Sequence, residues 1–169
     1  MELKQYLHMA IEGLDFGLKR VIDGLKQKEI EWQPACGCNA IGLILFHVYK
    51  TEDSFIQSNL KGKKELYETE KWYKKLGLDV KEASAHYTVE QVNAFCVPKL
   101  ETILEYGAAV RANTIAYLDG LKAADFDKQI KMRFGPMPMA TVFSILISHA
   151  SQHTGEISYL RGLQRGMDK

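Results

Sequence analysis

Two histidines and a carboxylate near the end of the chain have the spacing of a metal-chelating helix. His149 and His153 are two of only five histidines in 169 residues, and Glu156 follows three residues later. Because each residue of an α-helix advances by roughly 100°, the imidazoles lie about 40° apart on one face, and Glu156 lies about 20° from His149. Two imidazoles one turn apart can chelate a single transition-metal ion. The chemistry that this segment offers is therefore metal binding beside a carboxylate.

The helical face that carries these histidines is otherwise apolar. Its other members are Val142, Ile145, Leu146, Ile157 and Leu160. Both imidazoles are therefore predicted to point into a core, where their nitrogens need partners. A metal ion would supply those partners, and so would hydrogen bonds to neighbouring hydroxyls. The spacing alone leaves both interpretations open, and a third ligand would favour the metal.

His47 is the candidate for that third ligand. It lies in an apolar run that begins after Asn39, which is predicted to be the N-cap of a helix. Thr51 and Ser54 share its face and add two hydroxyls that a dry hydrophobic seam does not need. Three neutral imidazoles from two helices would leave coordination positions open, as in catalytic sites, whereas structural sites are usually closed by four ligands.

Apolar residues at three- and four-residue spacing predict the elements that position these side chains. We expect long helices over residues 3–26, 39–60, 88–121 and 139–165. Thr88 and Gln91 form a predicted capping box at the start of the third helix, and Pro98 either kinks that helix or marks its true start. The Phe134–Pro138 stretch breaks the chain before the last helix.

The predicted connections include one short link, 27–38, and two longer ones, 61–87 and 122–138. Long crossovers permit a helix order other than simple up-down-up-down. The predicted fold class is therefore all-α, a four-helix bundle with long crossover connections, and residues 1–169 form a single domain.

Composition and charge exclude several classes of protein. The chain is 46% hydrophobic and 25% charged, with a net charge of +1. These values are ordinary for a globular protein and give no electrostatic case for a nucleic-acid partner. No apolar run approaches the roughly 18 residues of a membrane span, and the polar start of the chain is unlike a signal peptide. We expect no membrane association and a cytoplasmic protein.

The chain has three cysteines, an odd number that argues against a complete disulfide framework. They are Cys36, Cys38 and Cys96. The Cys36-Gly-Cys38 element lacks further ligands at zinc-site spacing and is one residue short of a C-x-x-C redox pair. We interpret it as a small-residue turn that leads into the second helix.

Two motifs together resemble the DinB/YfiT-like family over essentially the whole chain. They are Asn39-Ala-Ile-Gly-x4-His47 and Ser148-His149-x3-His153-Thr-Gly155-Glu156-Ile157-x2-Leu160-Arg161-Gly162. The resemblance implies a four-helix bundle, often a homodimer, with a divalent metal ion held by three histidines. By position these are His47, His149 and His153. Family members of known activity are thiol-dependent S-transferases and isomerases that use small cellular thiols, and metal-dependent hydrolases.

The first functional hypothesis is a metal-dependent enzyme. A three-histidine centre, with Zn²⁺ or Ni²⁺ as the ion, would activate a thiol or a water toward a small-molecule substrate, with a low-molecular-weight thiol as possible cosubstrate. Glu156 stands where the family often has Gln, and two roles are open for it. It could orient or deprotonate the activated ligand, or it could accept a hydrogen bond from an imidazole N–H.

The alternative is a non-catalytic metal-binding bundle that serves a stress response or binds a ligand; packed histidines without metal are a third reading. An open site would favour the enzyme, and closure by Glu156 or Thr51 would favour a structural centre. Arg161 is interpreted as a surface or interface residue rather than an anion clamp. Tyr6, His8 and Tyr159 are candidates for the pocket mouth. The remaining histidines, His8 and His86, are left out of the site, His86 as a loop residue.

Overall fold

Helices account for most of the regular structure in the computed structural model, which describes residues 1–83, 85, 87–133 and 135–166. The loop position expected for His86 lies outside the described residues, as does Phe134 of the break expected before the last helix. In chain order the elements are α1 (Leu3–Ile22), α2 (Gln27–Glu31), α3 (Ile41–Asp53), a π-helical segment (Ser54–Leu60), α4 (Leu66–Thr69), α5 (Trp72–Leu76), α6 (Val89–Ala94), α7 (Leu100–Gly120), a 3₁₀ turn (Ala123–Asp127), β1 (Gln129–Met132), β2 (Gly135–Pro138) and α8 (Met139–Arg165). The all-α fold class is confirmed.

The four long helices form a bundle in which each one packs against two others. They are α1, α3, α7 and α8. Helix α1 packs against α7 and α8, and α3 packs against the same two helices. Helices α1 and α8 run in the same direction, because Gly17 faces Thr154 near their middle and Arg165 reaches the Gly24 carbonyl beyond the end of α1.

Helices α3 and α7 are also parallel. The Tyr49 ring lies against Gly107, and two turns further on, in the π-helical segment that continues α3, the Gln57 side chain lies 3.5 Å from that of Asn113. Parallel neighbours need a crossover, and the long connection between α3 and α7 provides it. This parallel pair departs from simple up-down-up-down order, as the long connections were predicted to permit.

The first two predicted helices differ from the structure at their ends. Helix α1 ends at Ile22 rather than at residue 26, because Gly24 adopts a left-handed φ of 67° and turns the chain. The N-cap prediction for Asn39 is wrong, since Ala40 occupies the N-cap position of α3 without a side-chain cap. The helix reaches Leu60 as predicted, but its last seven residues form the wider π-helix.

The third predicted helix divides at Pro98. The capping box is confirmed, with the Thr88 amide donating to Gln91 Oε1 at 2.8 Å and the Gln91 amide donating to Thr88 Oγ1 at 3.3 Å. The helix that it starts ends at Ala94, and the long helix begins at Leu100. Of the two roles proposed for Pro98, marking the true start is the one observed.

A small hairpin leads into the last helix. Strands β1 and β2 pair antiparallel, with Gln129 opposite Pro138 and Met132 opposite Gly135. Four residues are too few for alternation to stand out in the sequence, which is why only a break was predicted there. Helix α8 then spans the predicted residues, 139–165.

Buried apolar side chains form two clusters within the bundle. One contains Phe46 and Tyr106, and the other contains Leu118 and Phe143. Within the described ranges no helix combines the length and apolar character needed to cross a bilayer.

Candidate metal centre

Three imidazole nitrogens converge where α3 faces α8. The Nε2 atom of His47 lies 2.8 Å from that of His149 and 3.0 Å from that of His153, and the last two are 3.1 Å apart. All three side chains are half-buried, and among the described residues they form the one group of three or more His, Cys, Asp or Glu arranged to hold an ion. The structure therefore brings together the three histidines that the sequence singled out.

Helical geometry and packing place these side chains. The four-residue spacing stacks His149 and His153 on one face of α8, and buried Leu146, Ala150 and Ile157 flank them. Their burial fixes the rotation of α8, so that its two imidazoles face α3.

Hydrogen bonds on the outer side of the cluster set which nitrogen faces inward. His153 Nδ1 donates to Glu156 Oε2 at 2.7 Å, which leaves the lone pair on Nε2. His47 Nδ1 lies 3.5 Å from Thr51 Oγ1. Glu156 is thus behind His153, with its side chain 51% exposed, and Thr51 is behind His47. Neither residue belongs to the converging group.

The position of His149 favours its neutral form. Burial, followed by the positive charge that His153 and His47 would carry if protonated, lowers the pKa of His149 to about 4. The imidazole is uncharged at neutral pH and keeps a lone pair for a ligand bond.

The donor set fits a divalent metal ion better than it fits a hydrogen-bonded cluster. A neutral imidazole carries one N–H, and that of His153 already points to Glu156. Three short contacts between the Nε2 atoms of His47, His149 and His153 cannot then all be hydrogen bonds, because too few hydrogens remain. Converging imidazole lone pairs suit ions such as Zn²⁺ and Ni²⁺, and three protein ligands leave further coordination positions open.

A cavity of about 340 Å³ opens beside this cluster. His47 and His153 line it together with Asn39, Leu43, Ile44, Ala85, Tyr87 and Val92. The Tyr87 hydroxyl lies 2.6 Å from the Ala83 carbonyl, to which it donates, and burial raises its pKa, so it stays neutral. The volume is at the lower end of the roughly 300–1,000 Å³ of small-molecule sites.

Sequence reasoning missed most of the cavity wall. Asn39 lines the cavity instead of capping α3, and Tyr87 and Val92 reach it from the segment around α6. The capping box at Thr88 located the start of α6 but contains no information about which helix that segment covers.

Other candidates lie away from the cluster. Arg161 donates from Nη1 to the Val21 carbonyl at 3.0 Å and to the Asp23 carbonyl at 2.6 Å, so it closes the end of α1 rather than binding an anion. Tyr6 and Tyr159 are 52% and 69% exposed and do not line the cavity, which corrects the expectation that they form its mouth.

His8 and the cysteines are also remote from the cluster in their contacts. His8 Nε2 lies 3.0 Å from Asp119 Oδ1, in agreement with leaving His8 out of the site. Cys36, Cys38 and Cys96 are all free, and the Cys38 amide donates to the Ala35 carbonyl at 3.1 Å, as expected of a turn.

Comparison with known proteins adds a family and a fold. The sequence profile of the DinB superfamily matches residues 17–157. A solved structure of a conserved protein from Enterococcus faecalis superposes with a TM-score of 0.86 at 22% identity, covering 99% of this chain and 99% of that one. At that identity the likeness concerns the fold alone. None of the curated proteins matches the chain.

Proposed function

The chain belongs to the DinB superfamily, and from this membership and the three converging imidazoles we propose that it is a metal-dependent enzyme. His47, His149 and His153 would hold the divalent ion, with Zn²⁺ or Ni²⁺ as the candidates. When bound, such an ion supplies the Lewis acidity that lowers the pKa of a thiol or a water. The convergence of three Nε2 atoms within 3.1 Å is the observation that carries the proposal.

The remaining residues of the site orient these ligands. Glu156 accepts the Nδ1 proton of His153 and so presents Nε2 to the ion, a role that supports ligand basicity. Because its carboxylate faces away from the converging nitrogens, we assign Glu156 to positioning His153 rather than to attack or proton transfer. Thr51 is placed to act on His47 in the same way.

The cavity supports an enzyme over a closed structural centre. Glu156 and Thr51, the residues expected to complete a structural site, both contact Nδ1 atoms instead. The space beside His47 and His153 would take a small substrate whose apolar part lies on Leu43, with a polar group near Asn39. A low-molecular-weight thiol is the cosubstrate in this proposal.

Elemental analysis of the untagged protein tests the metal site. We expect about one Zn or Ni per chain, lost in His47→Ala because removing one of three ligands opens the chelate. The matched control is His8→Ala, which removes a histidine that contacts Asp119 and should leave the metal content unchanged. An absence of metal in the wild type after incubation with either ion would contradict the proposal.

Turnover tests the enzymatic part. We expect the metal-loaded protein to accelerate the reaction of a small thiol with an aryl chloride, in which the sulfur–carbon bond forms as chloride leaves, or the hydrolysis of an aryl ester. His153→Ala should abolish that rate while circular dichroism still reports a helical protein. Full metal content with no rate in either assay would favour the non-catalytic metal-binding bundle.

A further inference from the structure

A second cavity, of about 300 Å³, lies between α1 and α7. It shares no lining residue with the cavity beside the histidines. Leu18, Ile22 and Leu104 form its apolar wall. Its polar groups come from Asp15, Lys19, Tyr49 and Arg111. An apolar cavity with a few polar groups has the composition of a small-molecule site.

Arg111, one of the residues that line this cavity, retains an unpaired hydrogen-bond donor. Its side chain is only 10% exposed; Nη2 donates to Glu52 Oε2 at 2.8 Å, and Nη1 donates to the Ile11 carbonyl at 3.3 Å. Its Nε is the one buried side-chain nitrogen or oxygen, within the part of the chain that the structure describes, that has no hydrogen-bond partner. Buried polar groups are normally paired, so such an atom indicates a missing partner.

Tyr49 supplies a second polar group to the cavity. Its ring packs so closely on Gly107 that a Cβ there would lie 2.3 Å from Tyr49 Cζ, so glycine is required at that position. The residue is only 7% exposed and lines the cavity. Burial raises the pKa of Tyr49, so the hydroxyl keeps its proton and can both donate and accept.

Charge balance selects the kind of head group that fits. Arg111 already faces two carboxylates, that of Glu52 and that of Asp15, whose Oδ1 lies 3.6 Å from Nη1. Lys19 also lines the cavity, so the two cations, Lys19 and Arg111, balance the two carboxylates, and an added anion or cation would upset that balance. An uncharged group that both donates and accepts hydrogen bonds leaves the charge balance unchanged.

We propose that this cavity binds a small uncharged amphiphile through a hydroxyl or amide head group beside Tyr49, Asp15 and Arg111. The head-group oxygen accepts from the Tyr49 hydroxyl, and the N–H of an amide or the O–H of a hydroxyl donates to the Asp15 carboxylate. The aliphatic tail lies against the apolar wall formed by Leu18, Ile22 and Leu104. The site is separate from the three-histidine centre and does not depend on its function.

Three six-carbon probes that differ in their head groups test the proposal on the full chain by isothermal titration calorimetry. Hexanamide is expected to bind with 1:1 stoichiometry and at least tenfold more tightly than hexanoate or hexylammonium. Equal or tighter binding of either ion would overturn the uncharged head group. Absence of hexanamide binding at millimolar concentration would overturn the site itself.

Variants locate the binding. Tyr49→Phe keeps the ring on Gly107 but removes the hydroxyl and should weaken hexanamide binding about tenfold. Ala108→Trp, at an exposed position that lines the cavity, should abolish it, whereas Ala116→Trp, two turns further along α7 and also exposed, should not. Unchanged binding in Ala108→Trp would overturn the assignment. His47→Ala should bind hexanamide normally, which separates this proposal from the metal centre.

Discussion

At the scale of single residues, the hydrogen bond from His153 Nδ1 to Glu156 orients one imidazole of the proposed metal site. We predict that Glu156→Ala lowers Zn²⁺ affinity by about 10–100-fold, the usual effect of removing such a partner, and that Glu156→Gln lowers it less because its amide oxygen still accepts. Competition with a chromophoric chelator measures the affinity. Gln152→Ala, an exposed change on the same helix, is the control. Wild-type affinity in Glu156→Ala would leave this carboxylate without a role.

The lowered pKa of His149 predicts a pH dependence of stability in the metal-free protein. Its folded-state pKa is about 4, below the ordinary value of 6.5, so between these limits the unfolded chain binds more protons. The free energy of unfolding contributed by His149 should therefore be fully present above pH 6.5 and fall as the pH is lowered toward 4. Urea titrations of the wild type and His149→Gln at several pH values, with chelator present, test this. Parallel pH profiles in the two proteins would contradict it.

The three histidines could be predicted because a helix converts sequence spacing into direction. The period alone placed His149 and His153 on one face and His47 on the apolar side of another helix. The direction of Glu156 was predicted too, but the choice of His153 Nδ1 as its partner depends on side-chain torsions that spacing does not fix. Asn39 was misassigned because Asn is favoured at N-caps, and sequence position does not show that its side chain lines a cavity.

At the scale of elements, a buried carboxylate anchors the long connection between α3 and α7. Asp53, at the end of α3, accepts hydrogen bonds from the Leu66 amide at 3.0 Å, the Tyr67 amide at 2.9 Å and the Tyr106 hydroxyl at 2.8 Å. Burial raises the pKa of Asp53, while these three donors oppose that rise. The connection is thereby attached to both helices that it joins.

We predict that Asp53→Ala destabilises the fold by about 3–5 kcal/mol, because it leaves three buried donors without their acceptor. Tyr106→Phe removes one donor and keeps the ring, and it should cost about 1.5–3 kcal/mol. Urea unfolding followed by circular dichroism measures both. A loss below about 1 kcal/mol in Asp53→Ala would mean that water replaces the carboxylate.

Elements whose ends are marked locally were predicted well, and those fixed by distant partners were not. The capping box marked the start of α6, and an uninterrupted apolar period marked α8. The short helices α4 and α5 depend on contacts such as that of Asp53, and a polar stretch gives no sign of them. Asp53 and Tyr106 are 53 residues apart, a pairing that no local pattern encodes.

At the scale of the whole molecule, the homodimer implied by the family resemblance stays a prediction. Helix α1 offers an exposed apolar stripe at helical spacing, with Tyr6, Met9 and Phe16 exposed by 52%, 57% and 72%. If α1 forms the interface, Phe16→Glu should convert a dimer of 19.2 kDa chains to monomers in sedimentation velocity. Val80→Glu, an exposed apolar position outside the bundle helices, should not. A monomeric wild type would exclude the homodimer.

The bundle could be predicted as a class but not as an arrangement. Helix number and length follow from the apolar period, since each long helix must bury one face. Which helices are neighbours depends on long-range packing such as that of Tyr49 on Gly107, and the sequence shows only that long connections would permit it.

The sequence separation between His47 and its partners also determines the order in which the site is assembled. His47 is 102 residues ahead of His149, so at about 5–20 residues per second the ribosome completes it roughly 5–20 s before the first α8 ligand is made. Before α8 docks, His47 has neither imidazole partner and the chelate does not exist. The proposed ion could therefore be held by all three histidines only after α8 has docked, so its retention would report that this helix has folded onto α3.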